Sequence, residues 1–371
     1  MEDRQYQREA IAFLVRSKRG IVQAPAGAGK THIAASALAL CLDKRSGVAN
    51  VEIMVNTKEQ VEQMQIACDR FPVIAQKSNL QIYCAAGAPT KTNPHLLIVD
   101  ECHRAGAKGW SAKILKCQSA RWGLSATPFS GDLDRDDLVR NLFDSNLHTI
   151  ERKNLVERGH LAKAKVVWHK VVCDQVARDI QELSANLTAG RKKKMPWMFR
   201  NEASARKQEN QCRWQAAQQL GIWENNQRDA LITQLAHANI DQGNHTIVLI
   251  GSIDHGKRLV DAIPGAEMVY SKMGAKKRAD VINRFRQGKL RCMIGTSAIE
   301  EGFDAPIANV IIMAGCGKSE RKSIQSTGRV LRPHDGKESG IIHDFTDNFH
   351  PMLNRQSSAR KRIYSQLKYT Q

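Results

Sequence analysis

The sequence predicts an α/β protein of two tandem units, each a parallel sheet flanked by helices. Three observations predict it. The 371 residues exceed one ordinary domain and suit two. Short apolar runs alternate with helical stretches through the first 150 residues, the signature of a helix-covered parallel sheet. The same rhythm returns in the second half, after a polar stretch of different composition.

In the first unit, residues 20–24 read as a strand and 31–42, rich in Ala and Leu, as a helix. Residues 51–55, 96–100 and 121–125 read as further strands. In the second, 246–250, 292–296, 310–314 and 340–343 are strand-like, with helical stretches between. The expected boundaries are 1–150 and 151–350, with a basic insertion at about 175–228 and a basic tail at 351–371. The insertion is rich in Gln, Arg and Lys and suits helices or a mobile segment. Its centre, Arg191 to Arg200, sets five cations beside Trp197 and Phe199.

Composition bounds the function. Lys and Arg number 56 against 37 Asp and Glu, a formal charge of +19, which points to a polyanionic partner, nucleic acid before an anionic membrane. No run of about 18 apolar residues suggests a membrane span, and the N-terminus lacks a signal-peptide pattern. Nine scattered cysteines without a CxxC pair argue against a disulfide framework or zinc site and for a reducing, cytoplasmic setting.

The chemistry begins at Ala24-Pro25-Ala26-Gly27-Ala28-Gly29-Lys30-Thr31. Small residues between a strand and a helix let backbone N–H groups turn toward phosphates, and the helix N-terminus adds positive potential. Lys30 is expected to reach the terminal phosphates, and Thr31 to place its hydroxyl on Mg²⁺. Further on, an apolar strand ends in Asp100-Glu101-Cys102-His103. There Asp100 is expected to hold the metal ion, and Glu101 to orient and deprotonate the attacking water. ATP and Mg²⁺ are the cofactors these motifs call for.

At these residues the chain resembles the superfamily 2 helicases of the DEAD/DEAH type, here with Asp-Glu-Cys-His. The resemblance runs over about residues 4 to 345 and implies two RecA-like domains. Arg4, Tyr6 and Gln7 resemble the adenine-recognising motif, although Asp3 and Gln5 stand where many relatives carry leucine and proline. Asn56-Thr57-Lys58, with Gln63, resembles a motif touching the nucleic-acid backbone. Ser125-Ala126-Thr127-Pro128 resembles the segment that couples hydrolysis to strand movement, with His103 joining the two sites. Ile250-Gly251-Ser252 with His255 resembles the first motif of the second motor domain. Gly295-Thr296-Ser297, followed by Glu301-Gly302-Phe303-Asp304, resembles the next. The resemblance implies that Thr296 meets a backbone phosphate and that Gly302 and Asp304 serve the nucleotide, Asp304 reaching the ribose or the following motif. Gln325-Ser326-Thr327-Gly328-Arg329-Val330-Leu331-Arg332 resembles that final motif. It implies Gln325 near the attacked phosphate, with Arg329 and Arg332 as arginine fingers that act when the two domains close.

The Asp-Glu-Cys-His form moves the chain away from the common RNA-unwinding branch. The compact final motif, with Ile342-His343-Asp344-Phe345 and Arg362-Ile363-Tyr364, looks most like phage and bacterial branch-migration and excision-repair helicases. The expected activity is ATP-driven unwinding, translocation or branch migration on single-stranded, forked or branched DNA, in repair, recombination or replication. A monomeric motor moving 3′ to 5′ is expected. An RNA helicase, an ATP-switched clamp or annealing factor, and the motor piece of a larger restriction or remodelling complex remain open alternatives. Thr57, Lys58, Ser252 and Thr296 are the backbone-contact candidates. Lys193 and Trp197 represent the basic–aromatic segment, which either stacks on a separated base or packs on the second domain. The C-terminal tail is expected to make loose electrostatic contact or to form a solvated helix.

Overall fold

The computed structural model describes residues 3–87, 93–129, 132–296, 305–315, 337 and 339–370. The chain divides into Met1–Leu161 and Ala162–Gln371. The first unit extends past residue 150 because Ile150, Leu155 and Leu161 are buried in its core.

In the first unit the strands are β1 (Arg19–Gln23), β2 (Ala49–Val55), β3 (Ser78–Cys84), β4 (Leu96–Asp100), β5 (Ala120–Ser125) and β6 (Leu147–Thr149). The helices are α1 (Gln5–Arg16), α2 (Lys30–Asp43), α3 (Lys58–Asp69), α4 (Pro72–Lys77), α5 (Lys108–Leu115), α6 (Leu133–Leu142) and α7 (Arg152–Glu157). The sheet runs β3-β2-β4-β5-β1-β6, with every pairing parallel. Both faces are covered, so neighbouring strand residues feed opposite cores. Ile53 and Ile98 pack on one side with Leu14, Ile33 and Leu38. Met54, Leu97 and Val99 pack on the other with Ile114 and Phe143.

The second unit contains β7 (Lys163–Val171), β8 (Thr246–Leu249), β9 (Ala266–Val269), β10 (Cys292–Gly295), β11 (Val310–Ile312) and β12 (Ser339–Asp347). Its helices are α8 (Asp174–Lys194), α9 (Glu202–Gln218), α10 (Asn226–Asp241), α11 (Ile253–Ala262), α12 (Ala275–Arg286) and α13 (Pro351–Gln366). The sheet order is β7-β12-β11-β8-β10-β9, again parallel throughout. Ile247, Met293 and Ile311 face one core, and Val248, Ile294 and Ile312 the other.

The insertion is ordered helix rather than a mobile segment. Helices α8 and α9 form a hairpin, capped where Asn201 accepts from Ser204 N–H at 2.8 Å. A π-helical turn, Gln219–Trp223, leads on to α10.

The C-terminal stretch is a correction. It is neither a loose tail nor a solvated helix, because α13 packs on β12. Buried Arg360 donates to Asp344 through Nε to Oδ2 and Nη2 to Oδ1, both at 2.9 Å. The Tyr364 hydroxyl adds a bond to Asp344 Oδ2 at 2.9 Å. Among the described residues, no helix is long and apolar enough to cross a membrane.

Candidate active site

Strand β1 ends at Gln23, the chain turns through 24–29, and α2 starts at Lys30. Gly27 and Gly29 sit at φ of 88° and 80°, the left-handed region that disfavours side chains. At Gly29 a Cβ would also lie 2.9 Å from Gln7 Nε2, so a side chain there would push the Gln7 amide from the loop. Ala24, at the motif's first position, is under no such demand. It is buried with ordinary φ, and its N–H donates to Ser125 O at 2.9 Å. Lys30 folds back, its Nζ 3.4 Å from Ala24 O. With no acid in its first turn, α2 offers unpaired N–H groups and its positive dipole end to an anion. Thr31 lies in that first turn.

Register places the other chemistry beside this loop. Gln23 aligns with Ser125 across β1 and β5, and Asp100 with Leu124 across β4 and β5. The phosphate loop, the Asp-Glu pair and the Ser-Ala-Thr segment therefore share one carboxyl edge of the sheet, where ligands bind in open α/β folds.

Asp100 is buried, and burial first, then the neighbouring Glu101 charge, raises its pKa to about 7, against the opposing pull of Lys30 and the Glu101 N–H. Burial also opposes ionisation of Glu101. The His103 contact outweighs it, with help from Lys30 and Arg104, and holds that carboxyl below its ordinary value. The pair is thus split into a carboxyl that ionises readily once a cation arrives and a carboxylate poised as a base. A buried carboxylate crowded by a second one, on the sheet edge from which the loop leads to Thr31 in the first turn of α2, suits a hard, oxygen-seeking cation.

Glu101 has φ 52°, a left-handed backbone at a non-glycine residue. That conformation costs on the order of 1–3 kcal/mol and commonly marks a functional turn. It turns the chain from β4 into the short 3-10 helix Cys102–Gly106. His103 Nδ1 lies 3.2 Å from Glu101 Oε2 and 3.1 Å from Ser125 Oγ. Ser125 Oγ in turn accepts from Thr127 N–H at 3.2 Å. One histidine therefore touches both the base and the start of the Ser-Ala-Thr segment. Cys102 beside it is buried, and burial raises its thiol pKa well above the ordinary value, leaving it a neutral packing group. It fits against β5 because Gly123 has no Cβ, which would otherwise meet Cys102 at 3.0 Å.

At the N-terminus, Arg4 N–H donates to Gln7 Oε1 at 2.9 Å, and Gln7 Nε2 abuts Gly29. The Tyr6 hydroxyl donates to Ala28 O at 3.2 Å. A further tie was not foreseen, Asp3 Oδ1 to His32 Nε2 of α2 at 2.6 Å. The signal was present, because Asp3 is one of the two departures from the familiar motif, but its partner lies 29 positions away.

Of the nucleic-acid candidates, Thr57 caps α3. Its hydroxyl oxygen accepts from Gln60 N–H at 3.3 Å, which leaves the hydroxyl hydrogen to donate, and Lys58 beside it is exposed. Ser252 occupies the N-cap position of α11 without a side-chain cap bond. Thr296, whose N–H donates to Val269 O at 3.3 Å, follows β10. Strands β8 and β10 pair with Leu249 opposite Gly295, so Ser252 and Thr296 sit at one edge of the second sheet. His255 is buried and bonded to Asp229 at 2.8 Å, a packing role. Lys193 and Trp197 stand at the tip of the α8–α9 hairpin. Gly302, Asp304, Gln325, Arg329 and Arg332 lie outside the described residues.

Known proteins are similar to this chain in sequence and fold. Residues 226–334 match the family model "Helicase conserved C-terminal domain", and residues 1–85 match "Type III restriction enzyme, res subunit". The chain is 24% identical over 379 residues to "DNA 3'-5' translocase XPB2" of Sulfurisphaera tokodaii, covering 93% of this chain and 82% of that protein. It is 26% identical to "Putative helicase 22" of a Sulfolobus islandicus filamentous virus, covering 91% of this chain and 62% of that one. Its fold is similar to the Pyrococcus furiosus Hef helicase domain, with TM-score 0.59, 15% identity and coverage of 97% and 98%. It is also similar to the DNA-bound Type ISP restriction-modification enzyme LlaBIII, with TM-score 0.65, 14% identity and coverage of 99% and 30%. The two units are tandem RecA-like domains. The chain is a superfamily 2 helicase and an ATP-hydrolysing enzyme.

Proposed function

We propose that this superfamily 2 helicase moves along DNA by hydrolysing ATP, with the 3′ to 5′ polarity that its Sulfurisphaera relative's name carries. The observation that carries the reading is the single carboxyl edge on which Lys30, Asp100, Glu101, His103 and Ser125 converge. Ala26 to Lys30 cradle the phosphates, and Gln7 and Arg4 hold the base-recognising turn against that loop. Thr31 and Asp100 would hold Mg²⁺, which neutralises phosphate charge when bound. Glu101, kept ionised by His103, takes a proton from the water that attacks the γ-phosphorus, and the bond to the ADP oxygen breaks.

His103 meets Ser125 as well as Glu101, so a change at the base is felt by the segment leading to Thr127. Thr57, Lys58, Ser252 and Thr296 are the proposed backbone contacts. Gly302 and Asp304 serve the nucleotide, Gln325 positions water, and Arg329 and Arg332 are the proposed fingers. The charge of +19 suits a phosphate track, with affinity that falls steeply as salt rises. Roles in repair, recombination or replication belong to this proposal.

The test is ATPase stimulation by single-stranded DNA, forked DNA and RNA at fixed salt. Stimulation by both DNA forms is expected. Stimulation by RNA alone would overturn the DNA track.

A further inference from the structure

The α8–α9 hairpin is built in two zones. At its base Val176, Ile180, Leu183 and Leu187 repeat at helical spacing and join a core with Ala216, Ala217 and Leu353. Gly221 in the π-helical turn makes room for Leu353, whose Cδ1 would lie 2.6 Å from a Cβ there. Toward the tip apolar packing gives way to polar bonding. Arg191 donates to Gln208, Gln211 and Gln215 of α9 at 3.1, 3.0 and 3.4 Å. This fork staples the two helices just below the turn. Beyond it Lys192, Lys193, Lys194, Trp197 and Arg200 are exposed, Trp197 at 54%.

This tip is unlike an ordinary solvated helix end. From Leu183 to Asn201 the sequence holds no acid, and no ion pair to these cations occurs among the described residues. Lysines in the last turn complement the helix dipole, but the dipole does not account for a large aromatic left in water beside them. A cationic surface with an exposed aromatic face matches a phosphate backbone bearing an unstacked base. A projection packed at its base and bridged by Arg191 loses little conformational freedom on binding.

We propose that the hairpin tip is a junction-reading element for DNA. Trp197 stacks on the base exposed where duplex becomes single strand, and Lys192, Lys193, Lys194 and Arg200 hold the flanking phosphates. The inference rests on the DNA-motor reading and adds a preference for branched over uniform track. None of the residues assigned to the ATPase chemistry lies in the hairpin, so that chemistry does not depend on it.

The test uses the full chain, with Trp197→Ala and a Lys192→Ala/Lys193→Ala/Lys194→Ala triple variant. All four positions are exposed, so thermal stability should match the parent. Forks carrying 2-aminopurine at the junction report stacking directly. Trp197→Ala should abolish the quenching of that base and weaken fork binding about tenfold, the scale of one lost base–aromatic stack. Trp197→Phe should retain most of both. The triple variant should lower the slope of log affinity against log salt by about 2–3. Stimulation by plain single-stranded DNA should stay within twofold of the parent. Parent-like quenching and fork affinity in Trp197→Ala would overturn the proposal, as would loss confined to RNA. Failure of the motor reading looks different: hydrolysis by the parent that no DNA stimulates, whatever the fork affinities.

Discussion

Replacing His103 with alanine tests the electrostatic arrangement at its centre. The imidazole Nδ1 is 3.2 Å from Glu101 Oε2, and the two side chains are only 7% and 17% exposed. Burial opposes ionisation of Glu101, and the His103 contact is the foremost influence on the other side. A well-formed polar contact with a charged group contributes at most about 1.5–3 kcal/mol, and here it favours the ionised carboxylate. Loss of His103 should therefore raise the working pKa of Glu101. The sign follows from the chemistry. The base works only when deprotonated, so kcat falls as pH drops through its pKa, and raising that pKa moves the acid limb to higher pH. The assay is kcat between about pH 5 and 9 at saturating ATP, Mg²⁺ and DNA, where the bound cation keeps Asp100 ionised in both proteins. His103→Asn, which can still donate a bond, should move the limb less. An acid limb in His103→Ala superimposable on the parent's would refute the role given to this contact.

Other substitutions probe neighbouring links. Lys30→Ala should reduce kcat at least about 100-fold through loss of phosphate charge compensation. Glu101→Gln should hydrolyse as poorly yet still bind ATP, as measured by nucleotide fluorescence. Asp3→Asn or His32→Ala loosens the turn that sets Gln7 against Gly29, so KM for ATP should rise several-fold while kcat stays near the parent value. Arg360→Ala strands buried Asp344 as an unpaired charge, which costs about 3–5 kcal/mol and should depress the unfolding midpoint of the second unit. Adding Asp344→Asn should restore much of it.

The parts of the fold that sequence reasoning found are those where local pattern and burial agree. Strand β4 is a continuous apolar run closed by Asp100, and it is buried throughout. The phosphate loop carries its own punctuation, since Gly27 and Gly29 take the backbone angles that only glycine adopts readily. Four strands were missed. Strand β3 buries only Tyr83, β7 interleaves Lys163 and Lys165 with Ala164 and Val166, and β6 and β9 are only 3 and 4 residues long. Strand β12 runs to Asp347 rather than stopping at His343. Its extension carries the buried carboxylates Asp344 and Asp347, which Arg360 and Arg228 reach from distant helices to pair with.

The same reason explains the misread C-terminus. A basic stretch looks solvated when the acid it neutralises lies elsewhere in the chain. At the site, the residue types were legible one motif at a time. The tie of His103 to both Glu101 and Ser125 was legible only as a family expectation, and that of Asp3 to His32 not at all. The first depends on which strands adjoin, and the second on how the N-terminal turn packs on α2.

The central claim is that hydrolysis moves this protein along DNA, and displacement of a third strand from a triplex tests it without requiring duplex unwinding. ATP should drive displacement from a triplex flanked by a DNA track, at a rate that Glu101→Gln abolishes. DNA-stimulated hydrolysis with the third strand left in place, on either side of the track, would contradict the account and mark the protein as an ATP-switched clamp.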